Sequence, residues 1–332
     1  MMTEPALATI AGIADAVARG ETTASAVVAD HLDRAAAGQD TLNAFTMLDA
    51  DGAMTAAADI DARRTNGEPL GPLAGVPVAI KDLIDQAGLP TTCGGSFPPI
   101  IPTETAPSVT RLQAADAVVI GRTGLHEFAF GFSSENHWFG PVRNPWDTNL
   151  SPGGSSGGSG AAVSAGLVPG ALGTDTGGSV RVPAALCGIV GLKVTHGRVS
   201  LRGVYPLAPS IDTVGPLARS VADVELLFQA TAGDDPADPW AVPRPVAAPR
   251  ERVDLSGLRL GVPHPWVDTP LASEVHAGFD QASSDLVGAG AEVVDVDLTD
   301  FELPGHLAAS VYFEVAAIHR QRWHDNPEAY GP

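Results

Sequence analysis

SPGGSSGGSGAAVSAGLVPGALGTDTGGSVR, residues 151–181, decides how the rest of the chain is read. Two glycine-serine clusters flank an apolar run of small residues. Glycine at this density lets the backbone take positive φ and approach its neighbours closely. A flexible tether has similar composition, but AAVSAGLVPGAL is too apolar to be solvated, and Gly-Gly-Ser returns after Thr174-Asp175-Thr176. The stretch reads as two backbone loops held against a helix and a strand so that serine hydroxyls are presented.

A serine is a weak nucleophile until a base removes its proton. The composition supplies one candidate base. Among 19 basic residues only Lys81 and Lys193 are lysines, and Lys81 ends the apolar run Gly75–Lys81, GVPVAIK. An apolar strand that delivers a lysine at its tip fits a buried parallel strand facing a crevice. Lysine gives up its proton when desolvated, whereas arginine does not. His126, His137 and His196 stand without an obvious Asp partner pattern and read as structural or surface histidines.

Two other readings of the serine clusters are weaker. Ser155 satisfies G-x-S-x-G through Gly153 and Gly157, and Ser156 through Gly154 and Gly158. A nucleophile elbow, however, needs a strand leading into the serine, and Pro145, Pro152 and two glycines precede this one. A phosphate loop needs a Gly-Lys-Ser/Thr ending, which is absent. In the remaining arrangement a rare lysine faces two glycine-embedded serines, Ser155 and Ser179. The Thr176-Gly177-Gly178-Ser179 backbone can aim successive N–H groups at a developing oxyanion.

The 332 residues carry a formal charge of −20, with 44% hydrophobic and 17% charged residues. A sizeable core is expected, and the acidity argues against direct nucleic-acid binding. Cys93 and Cys187 lie outside any ligand-spaced cluster, so neither a metal site nor a disulfide framework is expected. The N-terminus lacks a signal-peptide pattern and no apolar run is long enough to span a membrane, so the expectation is a cytoplasmic protein. Helices are predicted over 5–37 as a pair, then over 51–64, 105–115, 157–165, 220–232, 271–287 and 305–323. Strands are predicted over 43–48, 75–81, 117–121, 168–173, 258–262 and 291–296, with 206–216 as loop and 234–249 as linker. The alternation predicts an α/β fold with a mixed, largely parallel twisted sheet covered by helices on both faces.

GGSSGGSGAAVSAG followed by GTDTGGSVRVPAALCGIVGLKVT, with VPVAIKD upstream, resembles the amidase signature family from about Leu70 to Ala232. The resemblance implies a Ser-Ser-Lys triad. Ser179 is then the acylating nucleophile, Ser155 the bridging serine on a cis peptide and Lys81 the base. The N–H groups of Thr176, Gly177, Gly178 and Ser179 form the oxyanion hole, Ser156, Asp175 and Arg181 support the loops, and Lys193 is structural. No cofactor or metal enters this chemistry. It also implies an N-terminal helical segment, 1–66, on a single core, 67–332, whose C-terminal part is missing relative to longer family members. The expected reaction is hydrolysis of a carboxamide C–N bond in a small-molecule amide, with homodimerisation left open. The alternatives are the glutaminase subunit of a tRNA-dependent amidotransferase and a truncated, inactive binding protein.

Overall fold

The computed structural model describes residues 9–247, 254–301 and 306–332. The chain separates into two compact units, residues 1–246 with 313–332, and residues 247–312.

The larger unit begins with α1 (Ile10–Arg19) and α2 (Ala24–Leu42). Thr9 and Thr23 cap them, each side chain accepting the N–H three residues on, which satisfies a donor the helix leaves free. Then come β1 (Phe45–Leu48), α3 (Ala50–Thr65), β2 (Pro77–Lys81), α4 (Pro107–Ala114) and β3 (Val118–Thr123). A 3-10 turn over Glu127–Ala129 follows β3. Across the glycine-serine region run α5 (Gly157–Ser164), β4 (Gly170–Asp175), α6 (Arg181–Cys187) and β5 (Val190–Gly191), followed by β6 (Thr213–Ala218) and α7 (Val221–Thr231).

Six strands form one sheet in the order β1-β3-β2-β4-β6-β5. Only β3–β2 and β2–β4 pair in parallel, while β1–β3, β4–β6 and β5–β6 are antiparallel. The sheet is therefore mixed, and the largely parallel arrangement expected from the alternation is confined to its centre. The difference comes from β6, whose Gly215-Pro216 reads as loop. Proline lacks a ladder donor and is normally kept out of inner strands, yet here Pro216 sits opposite Leu172.

Alternate residues of each strand enter different cores. Val78, Ile80, Val119, Leu172 and Val214 pack with Ile10 and Ile13 of α1, Val109 and Leu112 of α4, and Leu227 of α7. Ala79, Val118, Ile120, Ala171 and Leu217 face α2, α3 and α5 through Val28, Ala57, Ile60 and Ala161–Val163. Helices thus cover both faces, and β2 is buried along its whole length. Each fully buried Val, Leu or Ile contributes about 1.5–3 kcal/mol, so burial on this scale can hold one lysine out of water at the end of β2.

The smaller unit pairs β7 (Arg259–His264) in parallel with β8 (Glu292–Asp297), joined by α8 (Ser273–Gly288). The last helix, α9, spans His306–Asp325. The segment expected as a linker is tied down over its first part. Asp235 and Asp238 are buried, and Asp235 accepts from Ser200 Oγ at 2.6 Å and Arg202 Nε at 2.8 Å. Residues 248 and 249 of that expected linker lie outside the described residues.

Candidate active site

Lys81 has no exposed surface, and its Nζ lies 2.7 Å from Ser155 Oγ and 2.8 Å from Thr174 Oγ1. Strand β2 carries it between β3 and β4. Burial pulls its pKa down to about 7, against the opposing pull of Asp212 and Asp175. A buried amine prefers its neutral form because the charged one loses hydration.

Ser155 is fully buried and follows a cis Gly154–Ser155 peptide bond. Its carbonyl accepts the N–H of His126 at 3.1 Å and the hydroxyl of Ser134 at 3.3 Å. A Cβ on Gly154 would lie 2.9 Å from the backbone of Phe132, Ser133 and Ser134, so only glycine lets the 132–134 loop close on this peptide. Ser156 links the two clusters. Its Oγ donates to Thr174 O and accepts from Thr174 N, both at 3.2 Å, and its own N–H donates to Ser179 O at 3.2 Å.

The second cluster is organised by Asp175, which is completely buried at the end of β4. Its carboxylate accepts from Gly178 N at 2.8 Å, Val180 N at 3.1 Å, Arg181 Nε at 3.0 Å and Arg181 Nη2 at 2.9 Å. Burial alone would raise its pKa, but the Arg181 side chain and these N–H groups outweigh that and hold it below the ordinary carboxylate range. The Gly178 N–H donates to Asp175, as a buried carboxylate must be satisfied from within the loop. Ser179 is 3% exposed beside this turn. Among the described residues no hydrogen bond joins its Oγ to Ser155 Oγ, so the structure brings Lys81 and Ser155 into contact and leaves Ser179 adjacent through Ser156. Lys193 lies apart, its Nζ donating to Val194 O at 2.8 Å.

Several participants escaped the sequence reading. Thr174 holds the second contact of Lys81. Asp212 receives the Thr176 hydroxyl and the N–H groups of Leu207 and Ala208. Arg122 pairs with Asp82 immediately beyond Lys81, at 2.7 Å. An aspartate directly after Lys81 was the one visible signal of that pair.

A model of the family described as Amidase matches residues 26–328. The chain belongs to the amidase family. This family member is 46% identical over 312 residues to the A-type subunit of a glutamyl-tRNA(Gln) amidotransferase from Salinispora arenicola, an alignment covering 91% of the chain and 63% of that relative. It thus spans less than two thirds of the length of the curated relative. Its structure is similar to a crystal structure of an amidase, with a TM-score of 0.84 and 37% identity over 98% of this chain and 71% of that one. A peptide amidase from Stenotrophomonas maltophilia superposes with a TM-score of 0.83 and 35% identity, covering 96% of this amidase-family chain and 68% of the other.

Proposed function

We propose that this protein hydrolyses a carboxamide C–N bond, with Ser179 as nucleophile, Ser155 as proton relay and Lys81 as base. The observation that carries the reading is a fully buried lysine, depressed to about 7, within 2.7 Å of a serine hydroxyl. In the first step neutral Lys81 accepts a proton from Ser155 as Ser155 takes one from Ser179, and Ser179 Oγ attacks the amide carbonyl. The oxyanion is received by the N–H groups of Thr176, Gly177 and Ser179. Collapse breaks the C–N bond, and the departing nitrogen takes the proton back along the same relay, leaving a seryl ester. Water then attacks the ester with the relay again acting as base, releasing the carboxylate and restoring the enzyme. Ser156, Asp175 and Arg181 hold the loops in place and do not react.

A fluorophosphonate probe read by intact mass and peptide mapping tests this. One adduct is expected, on Ser179, absent in Ser179→Ala and slowed at least a hundredfold in Lys81→Ala. Labelling that persists in Ser179→Ala would overturn the assignment. A folded wild-type protein that takes no label would favour an inactive binding protein.

A second reading, a subunit that releases ammonia from glutamine for a partner, is supported by the name of the Salinispora arenicola relative. Glutamine hydrolysis that appears only with partner subunits and acylated tRNA would favour it.

A further inference from the structure

A cavity of about 370 Å³ is lined by His126, Phe128, Phe130, Val315, Trp323 and Tyr330 among others. Its volume falls within the roughly 300–1,000 Å³ range of small-molecule sites. One lining residue, His126, joins this wall to the first serine loop. The N–H of His126 donates to Ser155 O, and Gly131 lies against the His126 ring so closely that a Cβ there would meet Nε2 at 2.3 Å. One residue on, the Phe132 ring stands over the turn that carries Ser179, 3.8 Å and 3.7 Å from where Cβ atoms on Gly177 and Gly178 would be.

Aromatic and apolar residues dominate the described lining, and Glu127 is its one acidic side chain. Glu127 is already engaged, accepting from Trp138 Nε1 and Gly331 N, each at 2.9 Å. Burial holds the pKa of His126 and of His319 below the usual histidine range, so both are neutral at pH 7. No lysine or arginine is among the described residues that line it. Arg322 is engaged by the rings of Phe97, Phe128 and Tyr205 and donates to the Tyr205 hydroxyl at 2.8 Å. Glutamine would have to place an α-ammonium and an α-carboxylate near these walls. Desolvating a charge without a partner is costly, whereas an arene gains from the same surface through burial and edge contacts.

We propose that this cavity receives the acyl side chain of the substrate and selects a short arylalkyl group. The protein then acts on arylalkanoic amides in preference to glutamine. The inference rests on the reading of Ser179 as the acylating residue.

The test uses the full chain and two readouts. One is the ratio of kcat/KM for 3-phenylpropionamide over acetamide, and the other is calorimetric binding of 3-phenylpropionic acid, which needs no turnover. Wild type should prefer 3-phenylpropionamide to acetamide and to glutamine by at least tenfold and should bind the acid. Val315→Trp, which fills the cavity from the half-buried face of α9, should lower both the ratio and the affinity at least tenfold, with folding verified by its melting profile. An unchanged ratio and affinity in that variant, or faster hydrolysis of glutamine than of 3-phenylpropionamide, overturns the proposal. If the wild type hydrolyses no amide and takes no fluorophosphonate, the reading of Ser179 has failed. Binding of the acid and its loss in Val315→Trp then still decide what the cavity accepts.

Discussion

Arg122 Nε meets the Asp82 carboxylate at 2.7 Å with both side chains only 1% exposed, directly beyond Lys81 on the sheet. The same guanidinium donates to Ile84 O at 2.7 Å and Thr91 Oγ1 at 2.9 Å, and one of its nitrogens, Nη1, is buried without a partner. The pair fixes the turn that follows β2. A buried ion pair is costly to half-remove, because the surviving charge has no water to return to.

Arg122→Leu should therefore destabilise the protein by about 3–5 kcal/mol, the cost of an uncompensated buried charge. Urea denaturation measures this. The double variant Asp82→Asn/Arg122→Leu should recover part of the loss, and a double variant less stable than Arg122→Leu would show that the pair is not the source.

The titration of Lys81 makes activity and stability move together with pH. Its proton leaves at about 7 in the folded protein against 10.5 for an ordinary lysine. As the base must be neutral, kcat/KM should rise through pH 7 and level off, and Lys81→Arg should be inactive at every pH. The unfolded chain holds the proton more tightly, so folding stability from this group increases between about pH 7 and 10.5. Lys81→Met should thus be more stable than wild type near pH 7, with the difference shrinking by pH 10. A difference that does not depend on pH contradicts the lowered pKa.

Gly158 lies where α5 crosses the sheet end. A Cβ there would sit 2.5 Å from Ala44 O, Gly124 N and Gly124 O, all backbone atoms with little room to move. Gly158→Ala should cost about 1–3 kcal/mol or more, as overpacking does, despite the better helix propensity of alanine. A stabilised variant by thermal denaturation would contradict this contact.

Asp175→Asn removes the charge that gathers Gly178, Val180 and Arg181. Charge-assisted hydrogen bonds contribute about 1.5–3 kcal/mol, so a stability loss of roughly 2 kcal/mol is expected. Fluorophosphonate labelling should also slow, because the loop bearing Ser179 loses its anchor. Wild-type labelling rates in this variant would limit Asp175 to a role in stability.

Much of the fold was legible locally. The Thr23 and Ser220 caps, the apolar periodicity of α2 and α7, and the run ending in Lys81 each depend on neighbours within a few residues. Strand direction was not. Strand β6 carries Gly215-Pro216 and gains its place from pairing with β4, a long-range contact that overrides its local character. Helix α6, also unanticipated, begins at Arg181, whose backbone and side chain are both held by Asp175.

What the sequence alone determined is the set of groups: one lysine at a strand tip, two glycine-embedded serines and the helix-strand pair that separates them. Residue types and spacing carry that much because backbone freedom at glycine and burial of an apolar run are local properties. The tertiary structure decided which groups meet. It set Lys81 against Ser155 and Thr174, directed the Gly178 N–H to Asp175, and brought in Asp212 and Arg122 from distant strands and loops. Those outcomes depend on desolvation and hydrogen-bond satisfaction inside the core, where each polar group takes the partner that packing leaves within reach.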